Sequence, residues 1–394
     1  MDAFSFDTTR SIVYGIDSID QLAERCKHSL GKRIFVVTDP GIVKAGLIAN
    51  PLARLDEAGI STFIFDRVTA DPPEVIIEHA VEEACRFGTT GIVGIGGGSS
   101  LDVAKLVALI AGSGERLQEI YGIGKAQGPR LPLALVPTTA GTGSEVTPIA
   151  IVTTGAHEKQ GVVSNLLIPD FAILDPRLTI GLPPAVTAAT GIDAMVHAIE
   201  AFTTRSRNAN PISKALAKEA LRLLGGNIKQ AVLNGADVEA RGAMLLGSLL
   251  AGQAFANSPV AAVHALAYPL GGHYGIPHGL SNALVLTEVM RFNLPYCGKE
   301  YAELAHCLFA DMAVSSSTDR AEEMINRLAA LCQQLGLPTK LSEVGVAEDK
   351  LGTLATDAMK QQRLLVNNPR EVRFEDAFAI YQAAHSISAA SRNR

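Results

Sequence analysis

The pattern of apolar and polar positions changes rhythm near the middle of the chain. In its first part, short β-branched and aromatic runs alternate with amphipathic stretches. Residues 33–38 (RIFVVT) read as a strand buried on both faces, closed by the turn residues Asp39, Pro40 and Gly41. A helical stretch follows to Glu57, then a strand at 61–65 (STFIF). Residues 72–87 are predicted as a helix with Pro72 and Pro73 at its start, and 90–95 and 131–136 as two further strands. Strands separated by helices imply a parallel sheet with helices on its faces. Such sheets bind ligands beyond the carboxyl ends of their strands. After Leu182 the strand signals vanish, and helix-period segments occupy 185–201, 211–224, 238–256, 301–309, 320–335 and 374–385. The predicted architecture is an α/β domain over residues 1–180 and an all-helical domain over 181–394, with a proline-rich hinge at 175–184.

Composition narrows the function classes. The chain has 394 residues, 47% apolar and 19% charged, which suits a large buried core and excludes a disordered chain. Its net charge is −6, without a basic block, so nucleic acid is not the expected partner. The five cysteines (Cys26, Cys85, Cys297, Cys307 and Cys332) form no C-x-x-C pair, which argues against a disulfide framework or a cysteine-based zinc site. No signal peptide and no membrane-spanning run are expected, so the chain reads as soluble and cytoplasmic.

Two loops carry candidate chemistry. Residues 94–105 (GIGGGSSLDVAK) follow a strand and open a helix. Gly96, Gly97 and Gly98 leave backbone amides uncovered, and amides at a helix N-terminus attract phosphate. Ser99 or Ser100 is expected to cap the helix, with Asp102 completing a capping box with Ser99. The alternative is a tight strand-to-helix turn without a ligand. Residues 137–147 (PTTAGTGSEVT) follow the next strand and gather small hydroxyl residues around Gly141 and Gly143. Two such loops suggest one extended phosphate-bearing ligand lying across the sheet. Asp39 could accept hydrogen bonds from an adenosine ribose and repel a 2′-phosphate, or could simply form an Asx turn before Pro40.

Of nine histidines, His28, His79, His157, His273, His306 and His385 sit in ordinary contexts. The other three do not. In TGIDAMVHAIE (190–200), Asp193 and His197 lie four apart on one face of an apolar helix. A buried carboxylate and imidazole need either each other or a metal. In VHALAYPLGGHYGIPHG (263–279), His264 lies in an apolar helix and His278 follows Pro277. One oxygen and three nitrogens would suit Fe(II) or Zn(II), with a position left for substrate.

Taken together, GGGSSLDVAK, PTTAGTGSEVT, AATGIDAMVHAIEAF, VHALAYPLGGHYGIPHG and NNPR (367–370) resemble the iron-containing (group III) alcohol dehydrogenases, in order and from about Tyr14 to Tyr381. The resemblance implies a dinucleotide-binding α/β domain, a helical domain as in dehydroquinate synthase-like architectures, and catalysis in the cleft between them. It implies metal binding by Asp193, His197, His264 and His278, and a cofactor lined by Gly97, Gly98, Ser99, Asp102, Thr138, Thr139 and Ser144, with Lys159 at its ribose. It further implies a homodimer or higher homo-oligomer. Many family members carry a proton-relaying histidine four residues after the third ligand; here that residue is Tyr268. A phenol donates a hydrogen bond but is a poor base at neutral pH. Tyrosine at this position resembles the 4-hydroxybutyrate dehydrogenase and hydroxyacid–oxoacid transhydrogenase branches, which points toward an ω-hydroxy acid.

The reaction so implied is reversible hydride transfer between an alcohol or aldehyde and NAD, with the metal polarising the oxygen. A dehydroquinate synthase-like lyase should carry several basic residues for its phosphonate, and the run around Asp193 has none. Maleylacetate reductase should lack the full metal set, and a non-catalytic binder has no need of both loops and all four ligands. Asp39 predicts a higher kcat/KM with NAD than with NADP; a preference for NADP in steady-state assays would exclude the ribose role of this carboxylate.

Overall fold

The computed structural model describes residues 3–155, 158–312 and 316–385; His157 lies outside them. Two compact units emerge, one of Asp7–Leu182 with Ala236–Gly252, the other of the remaining described residues.

The first unit holds strands β1 (Ser11–Tyr14), β2 (Arg33–Val37), β3 (Ser61–Phe65), β4 (Gly91–Gly96), β5 (Gly122–Ile123), β6 (Leu133–Pro137), β7 (Ile149–Thr154), β8 (Glu158–Val163) and β9 (Phe171–Leu174). Its helices are α1 (Leu22–Ser29), α2 (Pro40–Lys44), α3 (Ala49–Glu57), α4 (Glu74–Phe87) and α5 (Gly98–Ser113). Six strands form one sheet in the order β1-β9-β6-β4-β2-β3, with every pairing parallel. The continuous apolar runs of β2, β4 and β6 are needed because both sheet faces are covered. Phe35, Val37, Ile92 and Leu135 pack on one face with Ile77 and Ala80 of α4 and Leu101 of α5. Ile34, Val36, Val93 and Val136 pack on the other with Leu22 and Cys26 of α1 and Leu55 of α3. Each fully buried side chain of this kind contributes about 1.5–3 kcal/mol.

Topology positions the loops. From β2 the chain moves outward to β3, then returns to the other side of β2 as β4. This reversal creates a switch point at the carboxyl ends of β2 and β4, where doubly wound sheets bind ligands. Gly96 pairs with Pro137, so the loops after β4 and β6 leave the sheet side by side.

The strands at the ends of the unit were not legible in the pattern. β1 and β9 are four residues each, too short to show a period. The antiparallel hairpin β7–β8, with β5 beside it, forms a second sheet whose β8 carries Lys159 and Gln160 among its apolar positions. The helical stretch expected up to Glu57 divides into α2 and α3, and α4 begins at Glu74 with Pro73 as its N-cap.

The second unit is helical: α6 (Pro184–Thr203), α7 (Pro211–Leu233), the end of α8 (Val238–Asn257), α9 (Ala262–Tyr274), α10 (His278–Leu308), α11 (Ser317–Gln334), α12 (Leu351–Ala358), α13 (Gln362–Leu365) and α14 (Phe374–His385). Prolines at the first position start α6 and α7, where a missing N–H costs nothing. Asn210 caps α7 by accepting from Ser213 N at 2.9 Å. The segment expected at 301–309 is the tail of the 31-residue α10. Pro295 and Gly298 resemble stop signals, but the helix absorbs them as a kink at Cys297, whose φ of −137° and ψ of 27° are not helical.

Gly143 shows how tightly the second loop is set. Its φ is +58°, and a Cβ there would lie 2.6 Å from the Cα of Gly252. Left-handed backbone costs a larger residue about 1–2 kcal/mol and overpacking about 1–3 kcal/mol. Gly143→Ala is therefore expected to lower the Tm by several degrees in scanning calorimetry. Gly181→Ala, at a position with open space around it, is the matched control and should leave the Tm unchanged.

Candidate metal centre and glycine-rich loops

α6 carries Asp193 and His197 one turn apart in an otherwise apolar, buried helix. α9 supplies His264, and His278 is the first residue of α10. Their ligand atoms all lie within 4.8 Å of one another. Asp193 Oδ1 stands 3.6 Å from His278 Nε2 and 4.0 Å from His264 Nε2. Asp193, His197 and His264 are buried, whereas the His278 side chain is 37% exposed, so the cluster opens on the His278 side. The His197 ring is stacked between His264, at 4.7 Å, and Phe255, at 4.3 Å. Burial alone would push the Asp193 carboxyl up; the three imidazoles and the Asn282 amide outweigh it and hold it below the usual carboxylate range.

Two residues that the spacing along the chain does not single out complete the cluster. Glu200, one turn beyond His197, accepts from His264 Nδ1 at 2.7 Å, Ala261 N at 2.9 Å and Val263 N at 2.7 Å. One carboxylate thus orients an imidazole and satisfies the open N-terminus of α9. Its signal in the sequence is a third ionisable residue on the same helical face, seven positions after Asp193. Asn282, one turn after His278, donates Nδ2 to Asp193 Oδ1 at 2.6 Å and stands 3.3 Å from both His264 Nε2 and His278 Nε2, leaving its own Oδ1 buried without a partner. Such a crowd of lone pairs around one amide fits a cation: metal–ligand bonds of about 2.0–2.2 Å would draw one carboxylate oxygen and three imidazole nitrogens into a common shell. Tyr268 lies on α9 one turn after His264, its ring 5.9 Å from that of His278.

The nine residues expected around the dinucleotide all belong to the other unit, and contacts tie them together. The capping expectation is corrected. α5 begins at Gly98, with Gly97 as its N-cap and no side-chain cap, so both serines fall inside the helix and their hydroxyls serve other partners. Ser99 Oγ accepts from Asp71 N at 3.3 Å, and Ser100 Oγ donates to Asp39 Oδ2 at 3.2 Å. Asp102 forms no capping box; it accepts from Ser144 Oγ at 2.7 Å and Ile151 N at 3.0 Å, joining the two loops. Asp39 is the N-cap of α2, accepting from Gly41 N at 2.9 Å and Ile42 N at 3.1 Å, which is the Asx geometry. A Cβ on Gly98 would meet Thr142 at 2.7 Å, and one on Gly97 would lie 3.4 Å from Thr139, so small residues let the loops abut. Thr138 N donates to Gly96 O at 3.0 Å, while its hydroxyl is buried without a partner. Lys159 pairs with Asp71 at 2.7 Å, which links it through the Asp71 backbone to Ser99.

Asp71 and Lys105 carry no signal in the sequence pattern. Lys105 is fully buried, donating to Ile149 O at 2.8 Å and Thr147 Oγ1 at 3.1 Å beside Asp102. Burial pulls its amine down, against the Asp102 and Glu145 carboxylates. Burial also pushes the Glu145 carboxyl up to about 7. All five cysteines are free thiols.

Comparison with known proteins matches both halves of the chain. A family model described as iron-containing alcohol dehydrogenase matches residues 9–176, and one described as Fe-containing alcohol dehydrogenase family, C-terminal, matches 187–385. The chain is 41% identical to long-chain-alcohol dehydrogenase 1 of Geobacillus thermodenitrificans over 94% of each protein. It superposes on a crystal structure of 1,3-propanediol oxidoreductase with a TM-score of 0.93, at 36% identity, covering 97% of this chain and 100% of that one. A sulfoacetaldehyde reductase from Bifidobacterium kashiwanohense in complex with NAD+ gives a TM-score of 0.87 at 28% identity, covering 98% and 100%.

Glu200→Gln keeps the shape of the side chain but removes the charge that orients His264. Loss of such a partner typically weakens metal binding by about 10–100-fold. Competition titrations of Fe(II) or Zn(II) against a calibrated chelator should show that loss, and an unchanged affinity would reduce Glu200 to a helix cap.

Proposed function

The chain belongs to the iron-containing alcohol dehydrogenase family, and from that premise we propose that it is a metal-dependent, NAD-linked alcohol dehydrogenase and aldehyde reductase. The observation that carries the reading is the convergence of Asp193, His197, His264 and His278, from three separate helices, on one set of ligand atoms. Fe(II) suits the family and Zn(II) the same donors. Bound there, a divalent ion would supply Lewis-acid polarisation of an alcohol or carbonyl oxygen, and NAD the hydride acceptor.

The chain's own residues bind and orient. Glu200 holds His264 Nδ1, which turns the His264 Nε2 lone pair toward the cluster. His278, half-exposed, marks the side from which a small alcohol enters. Tyr268 beside it serves as a hydrogen-bond donor to the substrate rather than as a base. In the α/β unit, the amides at the start of α5 face the region of the pyrophosphate. Asp39 offers carboxylate oxygens at the switch point for the adenosine ribose, and Lys159 approaches the same loop through Asp71. The bound NAD+ of the related sulfoacetaldehyde reductase supports this use of the loops. The lyase alternative gains no support from these relatives.

We further read the protein as a cytoplasmic homodimer or higher homo-oligomer that acts on free small molecules. No helix among the described residues is long and apolar enough to cross a membrane. Light scattering coupled to gel filtration measures the assembly, and a monomeric mass would exclude that part.

The decisive assay follows NADH absorbance with a panel of primary alcohols. Activity should vanish after treatment with a chelator and return on adding Fe(II) or Zn(II). Full activity in the chelated protein would overturn the metal-dependent reading.

A further inference from the structure

Both glycine-rich loops leave the carboxyl ends of their strands. At the opposite, amino ends of the neighbouring strands β1, β9 and β6 the α/β unit holds a cavity of about 520 Å³, within the usual size range of small-molecule sites. Arg10, Arg25, Arg130 and Asp170 line it, with Phe171 and Pro132 as its apolar walls. The topology brings them together. Arg10 precedes β1, Asp170 stands immediately before β9 and Phe171 opens it, Pro132 precedes β6, and Arg25 lies on α1.

Three guanidiniums thus face one carboxylate. Arg130 spends its fork inside the protein: Nη1 donates to Asp170 Oδ2 and Leu131 O, both at 2.8 Å, and Nη2 to Ile168 O at 2.9 Å. Asp170 Oδ2 also accepts from Leu133 N at 2.8 Å. Burial alone would push the Asp170 carboxyl up; these bonds and the charges of Arg130 and Arg10 outweigh it and hold it below the usual carboxylate range. Arg25 is held without an acid. Its Nη1 donates to Ser11 Oγ at 3.1 Å and its Nη2 to Gln21 Oε1 at 3.5 Å, its Cζ lies 5.8 Å from the Phe171 ring centroid, and its Nε is buried without a partner. Among the described residues that line the cavity, the one ion pair is Arg130 with Asp170. Three positive charges against one negative leave two unmatched, in a chain whose net charge is −6. The carboxylate is already engaged and the lining has no histidine or cysteine, so the cavity is equipped for binding and not for proton transfer.

We propose that this cavity is a second ligand site, distinct from the glycine-rich loops, that takes a small phosphomonoester. Arg25 and Arg10 bond the phosphoryl oxygens, and Phe171 and Pro132 cover a short carbon body. A phosphomonoester carries about −1.5 to −2 charges near neutral pH, which answers the two unmatched cations, whereas a monocarboxylate would leave one of them unmet. Guanidinium forks take phosphate oxygens two at a time, and a fork already held, as that of Arg25 is by Ser11 and Phe171, gives up little freedom on binding. The inference does not depend on the dehydrogenase reading.

Calorimetric titration of the full chain tests this, with NAD+ at saturation so that the glycine-rich loops are not open to phosphate. Propyl phosphate is the probe, because it has no hydroxyl to oxidise; inorganic phosphate is the comparison. Wild type should bind propyl phosphate, more weakly as salt is raised, and about 10-fold more tightly than inorganic phosphate because its methylenes are covered. Arg25→Met should raise the Kd by about 10–100-fold, and Arg25→Lys should restore part of the loss. Arg10→Met, at an exposed position that the fold does not need, should weaken binding in the same direction and keeps the test open if Arg25→Met does not fold. Equal affinity for inorganic phosphate and the ester would overturn the assignment of an ester. Absence of binding by the wild type, or a Kd that neither methionine variant moves, would overturn the site.

Discussion

The helical unit is organised around the cost of taking one carboxylate and three imidazoles out of water. Asp193, His197 and His264 are buried among apolar side chains, where an uncompensated charge costs several kcal/mol. Three protonated imidazoles would neutralise Asp193 but repel one another at ring distances of 4.7 and 5.4 Å. Three neutral ones leave several lone pairs facing each other, with the single Asn282 amide to share among them. A divalent cation resolves both problems at once, since it needs deprotonated ligands and supplies the missing positive charge. The arrangement of α6, α9 and α10 is what this one requirement asks for.

The same constraint accounts for the position of Glu200. A second buried carboxylate near Asp193 would normally be unfavourable. Here it is engaged by the His264 Nδ1 proton and by two backbone amides at the start of α9, so its charge is directed to donors that point away from the cluster. The two carboxylates share a helix face and divide the labour, one toward the ligand atoms and one behind them.

Spacing made the centre of this site legible and left its surroundings hidden. Asp193 and His197 declare themselves because a four-residue interval in an apolar helix sets both on one buried face, where each needs a polar partner. His264 and His278 were joined to them by the chemistry of the donor set and by resemblance, since no period links residues on different helices. Asn282 and Asp71 stayed hidden because their roles are defined by partners far away in sequence, which a pattern along the chain does not contain, and Glu200 left only the trace of a third ionisable residue on the face of Asp193 and His197. The serines of the glycine-rich loop misled for the opposite reason. Ser-x-x-Asp before an apolar run is a sound local signal for a cap, but the glycines let α5 begin earlier, and the hydroxyls went to Asp39 and Asp71 instead. In the same way the central strands were legible from their two-sided burial, while the short strands β1 and β9 owe their state to neighbours already in the sheet.

The two units solve related problems with opposite means. In the α/β unit, close approach is obtained by removing side chains, and polar groups such as Lys105 and Asp102 are buried only where backbone carbonyls, amides and hydroxyls receive them. In the helical unit, bulk is retained and charge is concentrated, because a cation tolerates crowding of donors that a water-free core otherwise would not. Replacing an imidazole by the phenol of Tyr268 fits this second strategy. A further base on the open side of the cluster would compete with His278 for the same positive charge, whereas a hydroxyl donor adds none to the demand. The polar balance around His278 therefore favours a group that gives a proton-bearing contact to an incoming oxygen.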